Sequence, residues 1–219
     1  IRVLSVNVLS HNGDVEGIKT LIRRSNPDVV VFLEFTNFWS ESFREFLVEY
    51  PSNYLYPAED NFGIAVMSKI PFGVVKEKFL VEGGPPTILA TLMHESGNIG
   101  LIATHPFPPT SEERFKVRNQ QLLQLALYAR KTMGKVILAG DLNITPYSSL
   151  YKQFIKESLL SDPRQKFGLA LSWPDQAPKP LQIPIDYILV GDKLEIADFY
   201  SDEAPGSDHL AVVADVVVK

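Results

Sequence analysis

Asp141 and Asn143 stand two residues apart in Gly140-Asp141-Leu142-Asn143-Ile144-Thr145-Pro146, directly after the apolar run Val136 to Ala139. The run reads as a buried strand that stops at Gly140. In an extended segment, residues two apart point to the same side, so the acid and the amide would aim at one point just past the strand end. A carboxylate only accepts hydrogen bonds, whereas an amide both donates and accepts. Side by side they suit a site that holds a water and a phosphoryl oxygen. Asx residues and proline also end strands for purely structural reasons. Taken alone, the stretch reads first as a turn.

The rest of the chain changes that weighting. Asn7, Glu34, His105, Asp186 and Asp208-His209 each sit at the end or the start of an apolar, strand-like run. Strands that repeatedly terminate in acids, amides and imidazoles are what a site at the rim of a sheet requires. Asp186 lies in Ile185-Asp186-Tyr187-Ile188-Leu189-Val190, where an unpaired carboxylate would be costly to bury. It needs a cationic or imidazole partner. His209, at the head of the last strand, is the expected one; a carboxylate beside it would orient the ring and favour its charged form. Carboxylate and amide oxygens in a chain without cysteine suit Mg²⁺ or Mn²⁺, held by few protein ligands and completed by water and phosphate. Zinc fits less well, because the histidines show no paired helical spacing.

These groups need elements to position them. Alternating and continuous apolar patterns predict strands over residues 1–8, 28–33, 62–68, 72–81, 87–93, 99–104, 136–139, 185–190, 194–199 and 209–218. Residues 62–68 and 72–81 read as a strand pair turned at Ile70-Pro71, and 87–93 with 99–104 as a hairpin. Asp14 can cap a helix with Val15, Ile18, Leu21 and Ile22 on one face, stopped by Asn26-Pro27. Helical spacing continues over 38–50, 111–131 and 148–158. On the longest of these, Phe115, Leu122, Leu125, Ala126 and Ala129 should face inward. Arg118, Asn119 and Gln120 read as its solvated face, with an arginine reaching the phosphate as the lesser alternative. Residues 162–184 read as irregular. Trp173 in this stretch fits a satellite core or a cleft wall equally well. Tyr54, Tyr56, Phe107 and Tyr147 read as packing or rim residues, and His11 and His94 carry no assigned role. Many strands mixed with a few helices, several strands in hairpins, indicate an α+β sandwich and not a doubly wound parallel sheet.

At 219 residues, 45% hydrophobic and 21% charged, the chain can fill a two-layer core as one domain. No repeat, linker or low-complexity segment divides it, so a single domain over 1–219 is expected. The balance of 21 Lys plus Arg against 26 Asp plus Glu argues against a surface built to coat nucleic acid, which needs a basic face. It leaves room for a local basic patch, or for an acidic site offset by a metal. Without cysteine there is no disulfide, thiolate catalysis or cysteine metal site. No run has the length of a membrane-spanning helix and no signal peptide is visible. The strand-like start at Ile1 is expected to belong to a fragment or processed form. An extracytoplasmic or membrane-anchored location is favoured over a cytoplasmic one, with any anchor outside this sequence. No obligate protein partner is evident.

Val6-Asn7-Val8, Leu33-Glu34, Thr104-His105, Gly140-Asp141-Leu142-Asn143, Ile185-Asp186-Tyr187-Ile188 and Gly206-Ser207-Asp208-His209 follow one another in this order. With them the chain resembles the endonuclease/exonuclease/phosphatase superfamily, the metal-dependent phosphohydrolases that share the fold of pancreatic-type deoxyribonuclease. The resemblance covers essentially the whole chain. Gly-Asp-Leu-Asn-x-Thr-Pro and Gly-Ser-Asp-His look most like a bacterial branch, often attached to membrane segments and mostly of unassigned substrate. It implies a four-layer α/β/β/α sandwich, with two mixed, mostly antiparallel sheets face to face and the helices outside. It implies that Glu34 binds Mg²⁺ or Mn²⁺, helped by Asn7 and Asp208. Asp141 would orient or deprotonate the attacking water, and Asn143 would contact the phosphate and the developing charge. His209, held by Asp186, would stabilise the phosphoryl oxygens. His105 would be a second phosphate-facing imidazole, as in the deoxyribonuclease and sphingomyelinase branches. Asn61, just before Phe62-Gly63, matches a phosphate-contacting position. The expected partner is a phosphoester: nucleic acid, a phospholipid head group or a small phosphoester.

Two departures weigh against a duplex DNA endonuclease. Leu9 stands where some nucleases of the family carry an acid, and basic DNA-gripping loops are not evident. The competing expectation is a binding or regulatory domain that keeps the fold without turnover. A serine hydrolase is disfavoured, because there is no Gly-x-Ser-x-Gly elbow and Ser207 beside Asp208-His209 does not create a triad.

Overall fold

In the computed structural model, which describes residues 1–132 and 134–219, the strands are β1 (Arg2–Asn7), β2 (Val29–Leu33), β3 (Ser52–Tyr56), β4 (Ile64–Ser68), β5 (Phe72–Phe79), β6 (Pro86–Leu92), β7 (Ile99–Thr104), β8 (Val136–Asp141), β9 (Asp186–Val190), β10 (Leu194–Asp202) and β11 (Ala211–Val218). The helices are α1 (Val15–Ser25), α2 (Asn37–Ser42), α3 (Phe46–Glu49), α4 (Glu112–Lys131), α5 (Ser149–Ser158) and α6 (Arg164–Phe167). Six strands form one sheet in the order β10-β11-β1-β2-β4-β3; five form the other as β5-β6-β7-β8-β9. Only β1–β2 and β7–β8 pair in parallel; the other neighbours are antiparallel.

The pleat sorts the apolar side chains into three cores. Val3, Val29, Val31, Leu33 and Val66 of the first sheet meet Ile88, Leu101, Ala103, Ile137 and Ile188 of the second. The alternate residues Leu4, Val6, Val30 and Phe32 turn outward and pack under Ile18, Leu21 and Ile22 of α1 and the rings of Trp39, Phe43 and Phe46. Ile102, Leu138 and Leu189 turn outward from the second sheet under Leu122, Leu125 and Ala126 of α4 and Tyr151 and Phe154 of α5. Strands covered on both faces read as continuous apolar runs, which is why β2 and β8 stand out in the sequence. Fully burying one such side chain contributes about 1.5–3 kcal/mol. The result is the expected α+β sandwich: helices, sheet, sheet, helices.

Four expectations need correction. β4 and β5 are not a pair but lie in different sheets. Both edges of β4 are taken, by β2 and by β3, so β5 must pair with β6. The Ser68 hydroxyl accepts from Ile70 N–H and donates to Ile70 C=O, fixing the bend that carries the chain from one sheet to the other. The sequence pattern predicts no element at β3. The helix expected over 38–50 breaks into α2 and α3. Ser42 Oγ donates to Phe38 C=O, the kind of local side-chain bond that competes with helix continuation. The aromatic spacing survives the break: Trp39 meets Phe43 and Phe43 meets Phe46 at a tilt, and Phe46 stacks on Tyr50. On α4, Phe115 is 46% exposed instead of inward, and Arg118 is 5% exposed instead of solvated. Among the described residues no helix is long and apolar enough to cross a membrane.

Candidate active site

Strand register brings the polar strand ends together. Asn7 at the end of β1 lies opposite Leu33, so Glu34 follows directly beside it. Asp141 at the end of β8 pairs with Asp186 at the start of β9. β7 runs parallel to β8 and delivers His105 just past Thr104. Gly140 keeps these two strand ends close. Its φ is +144°, and a Cβ there would lie 1.9 Å from the Thr104 carbonyl oxygen. Glu34, Asn61, His105, Asp141, Asn143, Asp208 and His209 all line one cleft of about 780 Å³. Asn7 and Asp186, each 1% exposed, stand behind Glu34 and His209.

The first half of the cleft is an acid–imidazole cluster. His209 Nδ1 is 2.9 Å from Asp186 Oδ2, the partner the buried acid requires. Burial disfavours the imidazolium, but the charge and hydrogen bond of Asp186, with Asp141 and Asp208 adding to them, outweigh it and push His209 up to about 10. Asp141 Oδ2 lies 3.5 Å from His105 Nε2 and 4.0 Å from His209 Nε2. Burial, followed by the charge of Asp186, raises the Asp141 carboxyl above the ordinary range, against the pull of the two histidines. Asp141 Oδ1 accepts from Asn143 N–H at 2.7 Å, and Asn143 Nδ2 donates to Pro106 C=O at 3.0 Å. β8 ends at Asp141 and Asn143 has φ +49°. The two side chains therefore reach the cleft through an Asx turn and not through the extended alternation expected, with Leu142 between them buried under α4 and α5. The turn reading and the site reading hold together.

The second half is built on Glu34. Its Oε1 accepts from Asn7 Nδ2 at 3.0 Å and its Oε2 from Ser10 N–H at 3.1 Å. Each oxygen keeps acceptor capacity. Glu34 has φ +58°, a left-handed conformation that costs about 1–3 kcal/mol in a non-glycine residue. Ser207 Oγ donates to Asn7 C=O at 2.7 Å and accepts from His209 N–H at 3.0 Å, clamping the Asp208-His209 loop to the end of β1. That serine is spent on structure, not poised as a nucleophile. Asp208 Oδ2 accepts from Trp173 Nε1 at 3.1 Å, while its buried Oδ1 has no partner among the described residues. Trp173 is thereby a cleft wall. Asn61 Oδ1 accepts from Ser10 Oγ at 2.9 Å.

Three further residues border the site: Arg118, for which the sequence offers a phosphate contact as the lesser alternative, and Arg164 and Ser172, which the sequence patterns do not single out. Buried Arg118 donates to the Asn143 carbonyl and, through Nε, to Asn119 Oδ1 at 2.7 Å; burial lowers its pKa. Buried Arg164 donates to the Asp186 carbonyl and lies 4.2 Å from the Tyr187 ring. Ser172 Oγ accepts from the N–H groups of Ile185 and Asp186. The segment 162–184 is thus a support for Asp186, carrying α6 and a bridge between Trp173 and Ile183. Only its density of prolines and its lone Trp marked it.

Two places can hold a cation. Asp141, Asp186 and His209 offer ligand atoms within 4.8 Å of one another, but His209 Nδ1 is committed to Asp186 and a charged imidazole repels a cation. Glu34 and Asp208, whose Oδ1 has no partner among the described residues, line the same cleft and offer hard oxygen ligands, the donor type Mg²⁺ and Mn²⁺ prefer.

The sequence model of the Endonuclease/Exonuclease/phosphatase family matches residues 4–209. No curated protein matches the sequence. Solved structures share the fold. An endonuclease/exonuclease/phosphatase from Beutenbergia cavernae superposes with TM-score 0.81 at 22% identity, over 100% of this chain and 71% of the other. The 3′ phosphatase NExo from Neisseria, bound to a product DNA hairpin, gives 0.78 at 20% identity, over 98% of each chain. Sphingomyelinase C from Streptomyces griseocarneus gives 0.72 at 16% identity, over 98% of each chain.

Proposed function

Because the chain belongs to the endonuclease/exonuclease/phosphatase family, we propose that it is a divalent-metal-dependent phosphoester hydrolase working by in-line attack of an activated water. The observation that carries this is the convergence of Glu34, Asp141, Asn143, His105 and His209 on one cleft. Glu34 and Asp208, with Asn7 steering the Glu34 carboxylate, would hold Mg²⁺ or Mn²⁺, which when bound would supply Lewis-acid polarisation of a phosphoryl oxygen. Asp141, with one oxygen occupied by Asn143 N–H, turns the other to the water and takes its proton as the water oxygen bonds to phosphorus; the ester P–O bond opposite breaks, and the leaving oxygen takes up a proton from solvent. Its raised proton affinity suits a general base. His209 presents a charge fixed by Asp186 to the phosphoryl oxygens, and His105 a second imidazole. Asn143 and Asn61 complete the donors around the phosphate, the preorganised electrostatics that acyl and phosphoryl transfer both require. A phosphoester is the substrate class. The neighbouring folds act on DNA in one case and are named for sphingomyelin in another. We also read residues 1–219 as a single domain, since the two sheets share one core.

Calorimetric titration with Mn²⁺ tests this reading. The wild type binds the ion, and Glu34→Gln, which keeps the shape and removes the charge, weakens binding about tenfold or more. Unchanged affinity in Glu34→Gln, with affinity lost in Asp186→Asn, would move the ion to the Asp141–Asp186–His209 cluster. No binding at all would favour the non-catalytic domain.

A further inference from the structure

Arg114 and Arg118 lie one helical turn apart on α4 and both line the cleft; side chains at this spacing are neighbours. Neither makes an ion pair with a carboxylate among the described residues, whereas Lys116, between them on the helix, pairs with Glu112. Arg118 is 5% exposed, and one of its terminal nitrogens has no hydrogen-bond partner among the described residues, since Nε and the other nitrogen serve Asn119 and Asn143. A buried guanidinium without a counter-ion is costly unless something anionic joins it. Arg114 is exposed but not loose. Its guanidinium lies over the rings of Phe107 and Phe62, 5.2 and 5.8 Å from their centroids. These rings meet edge to face at 4.6 Å, and Phe62 packs against His105. The shelf holds a planar cation at the cleft mouth next to the catalytic imidazole. Asp60, whose Oδ1 accepts from Phe62 N–H, lines the same cleft.

The scissile phosphate already has His105, His209, Asn143 and the metal ligands. The Arg114 fork and the terminal nitrogen of Arg118 left without a partner among the described residues exceed what one phosphoryl group needs. A planar fork binds phosphate oxygens in pairs, and the two guanidinium charges together balance a dianion. We propose that Arg114 and Arg118 form a second anion subsite, and that the substrate is therefore a phosphoester carrying an additional phosphate group. The inference builds on the hydrolase reading for the first phosphate, but the subsite itself does not need turnover.

The test is binding in EDTA, where no reaction runs. Two probe pairs each differ by one phosphate: the dinucleotides d(pTpT) and d(TpT), and fructose 1,6-bisphosphate and fructose 6-phosphate. The wild type binds the member with the extra phosphate about tenfold more tightly in at least one pair, as expected for charge-assisted bidentate contacts. Arg114→Ala loses that preference and Arg114→Lys keeps part of it. Arg118 is left intact because it holds the Asn143 carbonyl. A gain confined to the dinucleotides assigns a nucleotide scaffold, a gain confined to the sugars a small metabolite, and a gain in both a site that reads phosphate alone. Equal or unmeasurable binding within both pairs, or a preference that survives Arg114→Ala, overturns the subsite. Turnover of bis(p-nitrophenyl) phosphate with Mn²⁺, which offers no second phosphate, stays unchanged in Arg114→Ala. Its absence in the wild type would sink the hydrolase reading while leaving the EDTA result to decide the subsite.

Discussion

Asp141→Asn lowers phosphodiester hydrolysis about a thousandfold or more and leaves the protein melting no lower than the wild type at pH 8. The two halves of this result have one cause. Asp141 is 2% exposed, and burial and Asp186 hold its carboxyl above its ordinary pKa. A carboxyl whose folded pKa is raised costs stability once the pH exceeds the unfolded value, and the cost is complete above the raised value. Asparagine removes the charge and with it the cost. It also keeps an oxygen to accept from Asn143 N–H, so the Asx turn persists. What it cannot do is take a proton from water. Activity and melting temperature, measured on the same preparation, check this. A loss of activity accompanied by a lower melting temperature would instead assign Asp141 a structural role.

His209→Ala fails on both counts. Asp186 is 1% exposed, and His209 is the sole side chain bonded to its carboxylate among the described residues. Removing the ring strands a buried charge, which costs about 3–5 kcal/mol. Hydrolysis falls about a hundredfold to a thousandfold, the usual cost of one preorganised donor at the reacting centre. The sign of the pH dependence follows from the raised His209 pKa. The pair's contribution is fully present below the ordinary histidine pKa of about 6.5 and is lost as pH rises through about 10. The gap in melting temperature between wild type and His209→Ala therefore narrows from pH 7 towards pH 10. Adding Asp186→Asn to His209→Ala recovers part of the stability and none of the activity. A gap that is constant with pH would show that the two residues do not share a charge.

The polar strand ends that meet at the cleft were legible because each breaks an apolar run. Asp186 inside an otherwise apolar strand demanded a partner, and Ser207-Asp208-His209 offered one. Strand pairing was harder to read. β4 and β5 follow each other closely in sequence, yet which sheet each joins depends on β2 and β3 already occupying both edges of β4, a long-range fact. β3 reads Ser-Asn-Tyr-Leu-Tyr and is half-buried throughout, so its alternation is weak. Helical periodicity placed α4 correctly but not its contents at the cleft end. There the first turns border the cleft, which exposes Phe115 and buries Arg118. Nothing local separates an arginine on a solvated face from one held to a backbone carbonyl twenty-five residues away. Arg164 was hidden in the same way. Its use is to Asp186 across a proline-rich segment that is held by hydrogen bonds joining Ser172 to Ile185, Asp186 and Leu210, and Asp175 to Asp208.

Release of p-nitrophenol from bis(p-nitrophenyl) phosphate by the purified chain, with Mn²⁺ and then with excess EDTA, bears most directly on the cleft's chemistry. Product should form with the metal and stop on chelation, and His209→Ala and Asp141→Asn with Mn²⁺ should fall towards the buffer rate. One shared background rate for all four samples would mean that these residues, however closely they converge, do not hydrolyse phosphoesters.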